Sequence, residues 1–287
     1  MSIVTAASES DFPSSGSLLL AQIRSQLVQF RRIPVALFFS LIFPLLLLLL
    51  FNTVLAGDDP VQTPAGDFPV RQFFVGSLAA FSAVSSTFTN LANMVPIRRQ
   101  EGVLKRWRGT PTPRWVYLGG FVGSAVVVAA IGVIVMLAVG VVLYGTEIDP
   151  AKLPAAVVTF VIGVSAFSVM GVAVAALVRK PEAAPAVANV IILPMAFISN
   201  TFIPMDVDEM PRWLDLLGAA LPLRPFVESL QAAFNPLVEA PAFQWSKLAV
   251  VAAWGLAAGL VAVRCFKWEP TAEDGQGPSR RRRRGPQ

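Results

Sequence analysis

The sequence predicts an all-α integral membrane protein with six transmembrane helices, an N-terminal interfacial amphipathic helix, one short cytoplasmic helix, and external re-entrant helices between spans 5 and 6. Three observations carry this prediction. Apolar residues make up 55% of the 287 positions against 14% charged, with a mean hydropathy of +0.64, which no soluble surface could accommodate. Six stretches run free of Asp, Glu, Lys and Arg for about the 20 residues that cross ~30 Å of hydrocarbon. The basic residues also sort to one side of those stretches.

In chain order, residues 1–16 read as a disordered N-terminus. Leu20, Ile23, Leu27 and Phe30 then recur at helical spacing between Gln22, Arg24, Gln26 and Arg31, so residues 17–32 read as a helix lying in the inner interface, in contact with membrane lipid. The membrane body, 33–268, contains the spans, at about 33–57, 72–97, 115–146, 153–178, 183–205 and 247–266. The first is read as a span rather than a cleaved leader, because both the 32 residues before it and its 25-residue uncharged run are too long for a signal peptide. The last has a short apolar centre, Leu248 to Val263, with Lys247 and Arg264 placed to snorkel from its ends.

Between the fifth and sixth spans, Pro211 can open a short helix through Ala220, and Pro225 another through Phe234. Each has one apolar face and no room to cross, so both should dip into the outer leaflet or cap the bundle. Residues 269–287 form a Gly/Pro/Arg-rich tail read as disordered, its arginines suited to anionic lipid rather than nucleic acid.

Alternating the connections from a cytoplasmic N-terminus puts 18 of the 23 bases inside and 11 of the 18 acids outside. Without Arg280 to Arg284 the inside still holds 13 bases against 5, so both termini are expected in the cytoplasm of a multi-pass bacterial plasma-membrane protein. Trp107, Trp115, Tyr117, Tyr144, Trp213, Trp245 and Trp268 fall at or near span ends, as headgroup-level rings should, and only Trp254 lies well inside.

The same residues exclude much chemistry. With no histidine and the single Cys265, the sequence offers no metal or cofactor site and no His-based catalysis. No predicted span carries an ionisable group to move a proton at mid-depth. The five lysines precede Arg106, Leu153, Pro181, Leu248 and Trp268, so none belongs to a P-loop, where serine or threonine must follow. The chain is therefore not an enzyme by itself. It is either passive or driven by another polypeptide acting on a cytoplasmic loop.

One loop is suited to that, Arg98-Arg-Gln-Glu-Gly-Val-Leu-Lys-Arg-Trp-Arg-Gly-Thr-Pro-Thr-Pro113. Glu101 to Arg108 can form two helical turns with Val103, Leu104 and Trp107 on one side and Lys105, Arg106 and Arg108 on the other, stopped by Gly109 and Pro111. Charge alone would equally hold such a loop at lipid phosphates. The segment from Glu101 to Pro113 resembles the first cytoplasmic loop of ABC type-2 exporter permeases, where it forms the coupling helix. Asn189-Val-Ile-Ile-Leu-Pro194, Phe197-Ile-Ser-Asn-Thr-Phe-Ile-Pro204, Pro211-Arg-Trp-Leu214 and Leu221-Pro222 are similar to that family's run from the fifth span into its external re-entrant helices. Asn200 departs from the glycine of many relatives.

The resemblance is closest to drug and antibiotic export permeases of the daunorubicin-resistance kind. It implies a homodimer of permease copies with a separate ABC nucleotide-binding subunit, which carries ATP and Mg, docked on Glu101, Gly102, Leu104, Lys105, Arg106, Trp107 and Arg108. It also implies that the second and fifth spans border the translocation path. Polysaccharide and lipid exporters share the architecture, and a non-transport membrane scaffold is the alternative of another class.

Ser82, Ser86, Thr89 and Asn93 share one face of an ideal helix in the second span, and with Asn189 and Asn200 of the fifth they are the candidate path residues, as against polar groups that simply bond a neighbouring helix. The Gly119–Gly123 and Gly255–Gly259 spacings are read as close helix contacts. Scattered hydroxyls and amides among aliphatic residues and Phe81, Phe88 and Phe197 suit a small hydrophobic or amphipathic substrate better than a long carbohydrate chain.

Overall fold

The computed structural model describes residues 14–54, 60–63, 66–109, 112–202 and 211–266. Of the disordered N-terminus expected over 1–16, residues 1–13 lie outside the described residues, as do the tail 269–287 and the predicted end of the fifth span beyond residue 202, whereas residues 15 and 16 already belong to the first helix.

Helix α1 (Ser15–Arg31) starts where the Ser14 side chain accepts the Ser17 N–H at 3.3 Å. It ends before Pro34, whose missing N–H and clash with the preceding residue force Ile33 into an extended conformation. Its contact with the bundle is one the sequence did not announce. The face turned into the bundle is led by Gln22, Gln26 and Phe30, while Leu20 is exposed. The polar stripe faces protein because glycines in the third predicted span leave room for it. A methyl group at Gly120 would overlap Gln22, and one at Gly123 would overlap Ile23. The Gly119–Gly123 pair is therefore a close helix contact, as the spacing predicted.

Helix α2 (Pro34–Val54) contains a π-helical turn, Phe38–Ile42, six to two residues before Pro44. Pro44 cannot donate to the carbonyl of Ser40 four residues back, so that carbonyl is left open inside the bundle. The Ser82 hydroxyl donates to it at 3.0 Å. Strands β1 (Pro60–Thr63) and β2 (Gly66–Pro69) then pair antiparallel, Val61 opposite Phe68. This hairpin is the one departure from all-α structure among the described residues. Neither four-residue piece has the alternating pattern that would have announced a strand.

Helix α3 occupies 70–100 as Val70–Val84, a π-helical turn Ser85–Thr89, and Asn90–Gln100. It is the centre of the molecule, with Phe73, Phe74, Leu78, Val84 and Phe88 fully buried. After the short α4 (Val103–Arg108), α5 (Arg114–Tyr144) runs to Gly145, whose φ of +65° closes the helix in the left-handed conformation. Helix α6 (Leu153–Leu177) follows a 3-10 turn at Pro150–Lys152, and α7 (Ala184–Ile198) another at Pro181–Ala183.

Helices α8 (Arg212–Ala220) and α9 (Leu223–Phe234) agree closely with the two proline-headed helices expected. Helix α10 (Trp245–Cys265) closes the bundle against α6, where a methyl at Gly255 would come 2.9 Å from the Ala166 Cβ.

Among the described residues five helices are long and apolar enough to cross a membrane: Pro34–Val54, Trp115–Tyr144, Pro150–Leu177, Pro181–Ile198 and Trp245–Cys265. Helix α3 is not among them, because Ser82, Ser85, Ser86, Thr87, Thr89, Asn90 and Asn93 dilute its apolar character. Its polar groups are sheltered by the other helices instead of by lipid. The chain is a multi-pass membrane protein.

Candidate functional site

Two regions carry the predicted site residues. The first is the polar side of α3 with the C-terminal end of α7. Ser82 and Ser86 are fully buried, whereas Thr89 and Asn93 are half-buried. The expectation that all four share one face fails at the π-helical turn. One extra residue within a turn rotates everything beyond it by about 100°, the angular step of a residue in a helix. Ser82 is committed to the Ser40 carbonyl, so in this chain it holds two helices together. Ser86 Oγ and Asn93 Oδ1 are buried with no hydrogen-bond partner among the described residues. An unpartnered oxygen is costly away from water, so of the candidate path residues on α3 these two have capacity left for something else.

In α7 the stripe Ala184, Ala188, Ile192 and Met195 packs inward, and Asn189, Val190, Leu193 and Phe197 are exposed on this chain. Asn200 lies just beyond the helix, 3% exposed, at φ 56°. The left-handed conformation explains the residue type, since asparagine tolerates it better than other side chains short of glycine. Asn189 and Asn200 are thus not brought together: one is on an open helix face and the other is folded into the helix end. Around that end Phe202 meets Phe81 at 5.0 Å, Phe197 at 5.4 Å and Phe51 at 6.4 Å between ring centres.

The second region is the loop after α3, read as cytoplasmic from the sequence. Helix α3 ends with Gly102 at φ +70°, and its N–H donates to the Arg99 carbonyl at 3.1 Å. The helix expected over Glu101 to Arg108 is two residues shorter: Glu101 and Gly102 make the bend and α4 begins at Val103. Among the described side chains of α4 Leu104 alone is buried, 1% exposed, among Leu91, Tyr117, Phe121 and Ala125. Arg106 is exposed, and the side chains of Lys105, Trp107 and Arg108 lie outside the described residues. Glu101 has a partner in its own chain, Arg98, at 3.2 Å, and Arg98 Nη2 also donates to Gln29 of α1.

Sequence reasoning missed the neighbouring Arg99. It is 3% exposed and donates to the carbonyls of Ala175 and Val178, the open end of α6. Burial pulls its pKa below the usual guanidinium value.

Also missed was how α9 is held. Its last carbonyls are capped from afar: Gln72 Nε2 donates to Phe234, and Lys152 Nζ to Asn235 at 2.8 Å. Gln231 donates to Ser77 Oγ at 2.6 Å, so both faces of this helix are buried, the polar one against α3. The four polar residues of its sequence show only that one face is polar, not that the face is enclosed.

The buried α3 thus carries polar side chains along its length, with α9 packed against its first half and the short basic α4 following its last turn. The ABC-2 type transporter family model matches residues 17–235, and the chain belongs to that family. It is 26% identical over 224 residues to a putative transport permease, ycf38, of Cyanophora paradoxa, covering 76% of this chain and 74% of that protein. It is 24% identical over 183 residues to the putative transport permease YvfS of Bacillus subtilis (strain 168), covering 64% of this chain and 71% of the other. Membership makes the chain a membrane subunit of a transporter, without a P-loop of its own.

Proposed function

We propose that this chain is the permease subunit of an ATP-driven exporter, with six spans and both termini cytoplasmic, that α3 serves as the sixth span, and that two copies enclose the path. A separate nucleotide-binding subunit drives it by pressing on α4. The observation that carries this reading is the seating of α4: one buried leucine, Leu104, fixes it to the bundle between α3 and α5, and Arg106 points outward. A load placed on such a helix is passed directly to the two longest helices of the chain, one of which holds the polar path residues.

The path takes a small hydrophobic or amphipathic molecule, a drug, antibiotic or lipid. Ser86 and Asn93 offer a few hydrogen bonds, and the phenylalanines at the outer end of α7 offer apolar surface without a continuous polar track. Reconstitution with the partner ATPase tests the substrate class. Hydrolysis stimulated by lipophilic drugs or lipids is expected; stimulation by a lipid-linked glycan alone would overturn the assignment.

A further inference from the structure

Helix α8 is attached to the molecule in an unusual way. Of its nine residues only Gly218 is buried, while Trp213, Leu216 and Leu217 of its apolar face are exposed. Apolar packing therefore does little to hold it, and its docking depends on polar bonds at both ends. At the first, Arg224 of α9 donates from Nη2 to Asp215 Oδ1 at 2.7 Å and from Nη1 to the Asp215 carbonyl at 3.0 Å. At the second, Trp254 Nε1 of α10 donates to the Ala220 carbonyl at 2.8 Å.

Arg224 is itself fixed. Its Nε lies 2.8 Å from Glu228 Oε1, and the other oxygen of Glu228 lies 2.9 Å from Lys247 Nζ. Two acids and two bases thus balance in one network that links α8, α9 and α10. Arg224 and Glu228 are buried, and Asp215 is the half-exposed member at the edge. Beneath α8 lies the outer end of α7: a methyl at Gly218 would approach the Ile198 carbonyl to 3.2 Å. There Ser199 and Thr201 are fully buried, and Thr201 Oγ1 has no partner among the described residues.

We propose that α8 is a lid over the outer end of the path, latched by Asp215 on Arg224 and by Ala220 on Trp254. Release of the edge member, Asp215, frees one end of α8 while the Arg224–Glu228–Lys247 core stays assembled. Charge-assisted bonds of this kind break individually without loss of the bundle, because α8 contributes almost no buried apolar surface. The inference rests on the proposed path only for what the lid covers; the latch itself is a property of this chain.

The test needs neither substrate nor ATPase. Thr201→Cys is placed in a Cys265→Ser background in nanodiscs, and its reaction with a charged thiol reagent is timed. With the latch intact the thiol should react slowly. Asp215→Ala should accelerate the reaction by about tenfold or more, the effect expected for a lost hydrogen bond to a charged group, and Trp254→Phe should accelerate it further when combined. Ser168→Cys, buried in α6 away from the lid, should stay slow in every variant. An unchanged rate at Thr201→Cys in Asp215→Ala would overturn the latch, as would equal acceleration at Ser168→Cys, which would mean that the whole bundle had loosened. If labelling responds as expected and transport is never found, the latch stands and the exporter reading falls.

Discussion

Gly102 is the joint between α3 and α4, and replacing it with alanine isolates a single physical term. Its φ is +70°, and nothing lies within 4 Å of where a Cβ would sit, so the substitution adds strain but no clash. A left-handed conformation costs an L-residue about 1–2 kcal/mol. Alanine also loses less freedom on ordering than glycine, which offsets about 0.4–1 kcal/mol. The net is on the order of 1 kcal/mol, or about fivefold in the equilibrium between the seated and released loop.

Gly102→Asn should cost less than alanine, because asparagine tolerates this region better. Hydrogen exchange of the amides at 103–108 reads the equilibrium directly. Gly102→Ala should exchange about fivefold faster than the parent, Gly102→Asn should fall between, and the amides of α5 should not change. Identical exchange in the parent and Gly102→Ala would refute the claim that the bend at Gly102 sets the position of α4.

Three further outcomes follow from the same geometry. Ser82→Ala leaves the Ser40 carbonyl, already deprived of its helical donor by Pro44, without a partner; unfolding in mixed micelles should show a loss of about 0.6–1.7 kcal/mol, and no loss would mean that another donor reaches it. Asn200→Gly should be tolerated or slightly stabilising, whereas Asn200→Val, branched at a φ of 56°, should lower the thermal midpoint of the purified protein; equal midpoints would remove the left-handed constraint. In a Cys265→Ser background, Asp67→Cys and Glu239→Cys should react with impermeant thiol reagents in intact cells and Lys105→Cys should not; labelling at Lys105→Cys would reverse the orientation inferred from the basic residues.

Elements that depend on long uncharged runs or on prolines were legible in the sequence. The proline-headed pair Arg212–Ala220 and Leu223–Phe234 matched because Pro211 and Pro222 to Pro225 set helix starts whatever the surroundings. Features decided by neighbours were not legible. The amphipathic pattern of α1 was legible but the protein contact of its polar side was not, because the glycines that receive Gln22 stand about 100 residues away in α5. The π-helical turn at Ser85–Thr89 has no sequence signal, yet it divides the four candidate path residues into a buried pair and a half-buried pair. The network of Arg224, Glu228, Asp215 and Lys247 was not anticipated, because it joins residues of three helices whose packing the sequence does not specify.

The central claim is that a separate ATPase drives this permease through α4. The most direct measurement is ATP-dependent movement of a lipophilic dye in proteoliposomes holding the permease and its nucleotide-binding subunit, compared between the parent and Glu101→Lys. Glu101 is exposed and pairs only with Arg98 among the described ion pairs, so the substitution should leave the fold intact while reversing the charge at the α4 bend. The account predicts transport by the parent with both subunits, none with the permease alone, and loss of both transport and substrate-stimulated hydrolysis in Glu101→Lys despite normal insertion. Full coupling in Glu101→Lys and in Leu104→Ala, or transport by the permease without the ATPase, would contradict it.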